Sequence, residues 1–339
     1  MIRFRKAWKI LGICLVLLVC SCSGKDKSKH INYRLSGENE LLEALSALKE
    51  APDDVTLNIS IWYYFTERGM WDSVIRYAAP VFHRTLFSPE KEQLMLYSGA
   101  YASQAFIFSE RFDSLGTYLD RIIPISEEKG DDFLRAMVNN IAGLYAIKIT
   151  GDYAEALERY KQALQAVQNT RDTINQSILL GNIASIYYHR RDTAGYRYAS
   201  EAYRLARLST DHYSMTYSAL QLSQMLYLKK EYASAAAYME EVAGIATGYP
   251  QFHAQFHLLQ ANMYADRDDY AKAEDYYRKA LDTQEHTEPG VMASIHLDYG
   301  KMLWKQGLYL KGHQPFFRNV LLQIHQLIQN RGSRGGPFR

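Results

Sequence analysis

Cysteine is nearly absent from this chain of 339 residues, and the three present, Cys14, Cys20 and Cys22, all lie at its N-terminal end. No thiol remains downstream to form a disulfide, a Cys-ligated zinc site or a cysteine nucleophile, so stability must come from packing. An excess of charge is missing too: 39 Lys and Arg stand against 37 Asp and Glu, which points away from a nucleic-acid surface. The chain has no glycine-rich phosphate loop, no nucleophile elbow and no Walker-type lysine. His253 and His257 have the spacing of two metal ligands on one helix face. Their segment, His-Ala-Gln-Phe-His, lacks the glutamate of the zinc-protease pattern, and no third ligand is evident. No metal, cofactor or catalytic group is expected, and no convergent polar triad suggests a hydrolase or transferase.

Long apolar runs are missing as well, with one short exception. Arg3, Arg5, Lys6 and Lys9 precede an apolar stretch from Ile10 to Val19, which ends in Val19-Cys20-Ser21-Cys22. About ten apolar residues fall short of the ~20 needed to cross a bilayer as a helix, which favours a secretory signal over an uncleaved anchor. Val-Cys-Ser-Cys resembles the bacterial lipobox, with Cys22 as the lipidated residue; Cys20 fits less well because bulky Val19 would precede the cut. The resemblance implies a signal peptide over residues 1–21. Cleavage there removes four basic residues and no acid, leaving 35 basic against 37 acidic residues, so the membrane attachment would be lipid rather than polybasic. Residues 22–37 are polar and Lys-rich, as suits a flexible tether. The expected location is the cell envelope, anchored to the inner or outer membrane and facing the periplasm, since no acidic run follows Cys22.

What the chain does have is tyrosine, 27 in all, and helical periodicity. From residue 252 to 281 two helices meet at a tight turn. Phe252, Phe256, Leu259 and Met263 mark the first; Tyr270, Ala273, Tyr277, Ala280 and Leu281 mark the second. Ala265-Asp-Arg-Asp-Asp269 between them is polar and cap-forming. Small Ala273 and Ala280 permit close helix approach, while Tyr264, Tyr270 and Tyr277 fill the space around them. These positions resemble the signature of one tetratricopeptide repeat.

With Tyr270 as the ruler, an aromatic opens a second helix at Trp71, Phe112, Tyr153, Tyr196, Tyr232, Tyr270 and Tyr309, at intervals of 41, 41, 43, 36, 38 and 39. Tyr153 is followed by Ala156, Tyr160 and Ala163. The interval of 43 before Tyr196, ahead of Ala199, Tyr203 and Ala206, is about three residues over the mean, which predicts a longer turn. Phe112 is followed by Leu115, Leu119 and Ile122, large where alanine is expected. Leu41 to Leu48 reads as an extra N-terminal helix stopped by Pro52. At the other end, Pro315 starts a last helix with an apolar stripe, Phe316, Phe317, Val320, Leu321, Ile324, Leu327 and Ile328. It is read as a cap, or else as a self-associating face. Residues 331–339 form a tail.

The resemblance implies an all-α, right-handed superhelical solenoid of stacked antiparallel helix pairs, about seven repeats over residues 38–330, with a concave groove. Mapped onto this chain, one inward position runs Gln104, Gly143, Ser185, Gln224, Asn262 and Lys301. Tyr188, Tyr217, Tyr227 and Trp304 come from nearby positions. Asn140 and Asn182 recur in the phrases NIAGLY and NIASIY. Amides interleaved with rings suit an extended peptide or an envelope protein segment. The expected function is a non-catalytic binding scaffold, or alternatively an extracytoplasmic ligand-sensing module like those of some Bacteroidota regulators. Ser73, Ser114, Thr173 and Thr193 each stand between an Asp and an aliphatic residue. This resembles the O-glycosylation signal of exported Bacteroidota proteins, although such pairs also populate helix starts.

Overall fold

The computed structural model describes residues 34–306, apart from 169, 284–286 and 288. The signal segment with Cys22, the Tyr309 position and the Phe316–Ile328 stripe lie outside the described residues. Within them the fold is all-α, with no strand, and consecutive helices pair antiparallel across short turns. They divide into two compact units, one of residues 34–186 with 204–209, the other of residues 187–203 with 210–306. An opening helix, α1 (Glu38–Glu50), buries Leu41 and Ala44 and ends just before Pro52. The next pairs are α2 (Val55–Glu67) with α3 (Trp71–Thr85), α4 (Glu92–Phe108) with α5 (Leu115–Lys129), and α6 (Asp132–Tyr145) with α7 (Tyr153–Val167). Then come α8 (Thr173–His189), α9 (Tyr196–Ser209), α10 (His212–Leu228), α11 (Tyr232–Glu241) and the short α12 (Ala243–Ala246). The pair α13 (His253–Ala265) and α14 (Tyr270–Asp282) precedes α15 (Pro289–Lys305).

Trp71, Tyr153, Tyr196, Tyr232 and Tyr270 each begin a second helix, as the aromatic register predicts; α5 begins three residues after Phe112. The extra length near Tyr196 is a 3-10 turn, Thr193–Gly195, placed just before α9. A finer period lies in the turns themselves. Gly69, Glu110, Gly151, Arg191, Lys230 and Asp268, spaced by 41, 41, 40, 39 and 38 residues, all have left-handed φ between 54° and 71°. In five of these turns the next N–H bonds to the carbonyl five residues back, as Met70 does to Phe65 and Glu231 to Leu226, both at 2.9 Å. This is the Schellman arrangement that closes a helix end. In the sixth, Asp152 reaches back to Ala146 because the π-helical stretch Ala146–Thr150 inserts one residue.

Because left-handed φ is cheap only for glycine, these turns make a direct prediction. Gly151→Ala, in open space at φ +71°, is expected to cost about 1 kcal/mol, and Lys230→Gly to gain up to about 1 kcal/mol. Thermal melts of the two variants moving in the same direction would refute this.

Side-chain size trades across each pair. Ala156 and Ala163 of α7 are fully buried, as expected from the repeat. In the α4–α5 pair the roles invert: Ile122 stands where alanine is expected, and the opposing helix supplies Gly99. A Cβ on Gly99 would lie 2.7 Å from Ile122 Cγ2 and 2.9 Å from the Phe82 ring. Gly143 is similarly closed against Tyr160. This corrects its placement in the inward series, since it is a helix contact rather than a groove lining. Aspartates in the turns cap helix starts: Asp54, Asp131, Asp152 and Asp211 all accept backbone N–H groups of the first turn.

Candidate binding site

The C-terminal unit contains a pocket of about 240 Å³ assembled from several helix ends and faces. Asn262 comes from the last turn of α13, between buried Ala261 and Met263. Tyr277 comes from α14, and Asp298, Lys301, Met302 and Lys305 from one face of α15. Tyr227 lies near the end of α10, Tyr188 and Arg191 at the end of α8, and Ala265, Asp266 and Tyr270 in the α13–α14 turn region.

A hydrogen-bond chain holds the floor of this pocket. Tyr277 Oη donates to Asn262 Oδ1 at 2.5 Å, Asn262 Nδ2 donates to Asp298 Oδ2 at 3.1 Å, and Lys301 Nζ donates to Asp298 Oδ1 at 3.0 Å. The amide is therefore fixed in one orientation, yet it keeps one N–H and one lone pair for a further partner. Tyr277 is itself anchored, its ring stacked 5.0 Å from that of Tyr299. Lys305 is paired with Asp268 at 3.0 Å, and Tyr232 Oη donates to Asp266 at 3.1 Å.

The phenols are held protonated. Burial pushes the Tyr188 hydroxyl up to about 12, with the Asp298 carboxylate adding to the effect and Arg191 opposing it. Burial also raises Tyr227, with the charge of Asp266 next in importance, and raises Tyr277, with Asp298 next. At neutral pH these side chains offer rings and O–H groups rather than phenolates, which suits recognition and gives no general base.

Of the residues proposed from sequence, Tyr188, Tyr227, Asn262 and Lys301 come together here. Gln224 and Ser185 are half-buried, and Trp304 is exposed. Tyr217 is 1% exposed, its ring against Phe252, and has no surface to offer a ligand. In the N-terminal unit Gln104, Asn140 and Asn182 are buried, and Asn182 Nδ2 donates to Asn140 Oδ1 at 3.0 Å. That amide pair ties α6 to α8. Of the candidate modification positions, Ser114 and Thr193 are exposed, and Ser73 and Thr173 half-buried, all at helix starts. His253 bonds to the Ala246 carbonyl at 2.9 Å and His257 to Gln260 at 3.3 Å.

Sequence reasoning missed Arg191, Asp266, Tyr277, Asp298 and Lys305 as lining groups. Helical spacing from the residues it did name would have reached most of them. Asp266 is four after Asn262, Asp298 three before Lys301, and Lys305 four after it.

Comparison with known proteins agrees with this architecture. The family described as tetratricopeptide repeat matches residues 261–288, the segment that supplies Asn262, Asp266 and Tyr277. Among solved structures, a Rap protein complexed with Competence and Sporulation Factor superposes with a TM-score of 0.64 at 17% identity, over 84% of this chain and 76% of that one. A signal-transduction ATPase with numerous domains from Pyrococcus horikoshii, bearing a tetratricopeptide repeat sensor, gives 0.52 at 17% identity over 78% of this chain. This chain spans 45% of that protein's length. At such identities the likeness is one of fold. No curated protein matches the chain by sequence.

Proposed function

We propose that this protein is a non-catalytic tetratricopeptide-repeat module that binds an extended peptide or protein segment in the tyrosine-lined pocket. Its place is the bacterial cell envelope, facing the periplasm on a lipid carried by Cys22. The observation that carries the binding reading is Asn262, an amide oriented by Tyr277 and Asp298 and left with donor and acceptor capacity among phenol rings. A pinned Asn or Gln amide of this kind pairs naturally with a peptide unit, which presents one N–H and one C=O. Size supports a segment over a whole small molecule. Sites that enclose a drug-sized ligand run to roughly 300–1,000 Å³, and this pocket is smaller, with room for one or two side chains of a longer chain.

The sensing alternative draws on the likeness to a repeat described as a sensor and to a Rap protein complexed with a factor. Both readings use the same pocket and differ in the consequence of binding: a scaffold holds its partner in place, whereas a sensor passes the change onward.

Crosslinked capture from the protein's own membranes tests the proposal, comparing wild type with a variant carrying Gln224→Ala, Tyr227→Ala and Asn262→Ala. A discrete partner held by wild type and lost from the variant is the expected result. Equal recoveries from both would reject this pocket.

A further inference from the structure

Charges in the pocket are not evenly matched. Lys301 is neutralised by Asp298 and Lys305 by Asp268, each at 3.0 Å. Arg191 makes no ion pair or side-chain hydrogen bond among the described residues, although it lines the cavity. Asp266 lines the same cavity and receives the Tyr232 hydroxyl, with no cationic side chain paired to it among the described residues. Both line the same cavity as Tyr188 and Tyr227, and they act electrostatically with opposite sign on those phenols. The pocket therefore presents one uncompensated cation and one uncompensated anion beside its aromatic walls.

Resting on the peptide-binding reading above, we propose that the segment it takes is dipolar: it brings a carboxylate to Arg191 and an ammonium or guanidinium group to Asp266. A purely anionic ligand would gain at Arg191 and lose at Asp266, and a purely cationic one the reverse. Only a ligand with both signs satisfies the two together. A guanidinium offers a fixed fork of donors that matches a carboxylate bidentately. Seating a segment between the rings also displaces water, which strengthens both contacts over their worth on an open surface. The carboxylate can be a chain end or an Asp or Glu side chain; the cation can be an N-terminal amine or a Lys or Arg side chain.

The test uses the full-length protein in detergent and randomised hexapeptide pools, with free or capped ends and with or without acidic and basic residues. Retained peptides are read by mass spectrometry. Peptides carrying both signs of charge should be retained about tenfold better than those lacking either. Arg191→Gln should erase the preference for a carboxylate and keep that for a cation; Asp266→Asn should do the converse. Loss on amidating the C-terminus identifies a chain-end carboxylate, and loss only on omitting Asp and Glu identifies a side chain; acetylating the N-terminus or omitting Lys and Arg sorts the cation likewise. Retention that ignores charge, unchanged in both variants but abolished by Asn262→Ala with Tyr227→Ala, would overturn the dipolar inference and leave peptide binding standing. No retention of any pool above that double variant would overturn both.

Discussion

Replacing Cys22 with alanine is expected to move the protein from the membrane fraction to the soluble fraction and to abolish incorporation of a labelled fatty acid. The expectation rests on the basic start, the short apolar run and Val-Cys-Ser-Cys, whose resemblance to a lipobox would make Cys22 the lipidated residue. Each acyl methylene buried in the bilayer contributes about 0.8 kcal/mol, so losing the lipid removes the whole anchor rather than weakening it. No helix among the described residues is long and apolar enough to cross a membrane, and the near-neutral charge gives no polybasic attraction. Cys20→Ala should leave both readouts unchanged. If Cys22→Ala stays membrane-bound and labelled while Cys20→Ala does not, the lipid sits on Cys20 instead.

Gly143→Ala is expected to be a strongly damaging single-methyl addition in the N-terminal unit. Its Cβ would lie 2.5, 2.8 and 3.0 Å from three atoms of the Tyr160 ring, and Tyr160 is 1% exposed. A stiff ring in a close-packed interior cannot swing aside, so α6 and α7 must part. Overpacking of this kind costs about 1–3 kcal/mol, and this contact belongs at the upper end. Gly244→Ala is the control: it lies in a helix with nothing within 4 Å of its Cβ, and should be neutral or gain up to about 1 kcal/mol. Urea unfolding midpoints decide the matter. A Gly143→Ala midpoint equal to wild type would mean that the pair does not depend on this close approach.

Asp-rich turns, Ala and Tyr at helical spacing, and an aromatic at the head of most second helices are local signals, and they were legible. Local chemistry determines where a helix starts, caps and stops, whatever surrounds it. Two features escaped for local reasons of a subtler kind. The left-handed turn residue is glycine in only two of six turns, so Glu110, Arg191, Lys230 and Asp268 hid the most regular period in the chain. The inserted residue of the π-helical stretch before Gly151 is equally silent in composition.

The sequence by itself determined that this protein is a run of antiparallel helix pairs built on small and aromatic residues, because each pair's pattern is complete within about 40 residues. It also marked Tyr188, Tyr227, Asn262 and Lys301 as polar or aromatic residues at positions a groove could use. Only the tertiary structure decided that these four share one pocket, while Asn140 and Asn182 are buried and joined by a hydrogen bond and Tyr217 is buried. It alone showed that Lys301 is neutralised and that, among the described residues, Arg191 and Asp266 are not. Whether a charge is paired depends on which side chains from α8, α10, α13 and α15 meet in space. Residues up to 117 positions apart, such as Tyr188 and Lys305, carry no trace of that meeting in their own neighbourhoods.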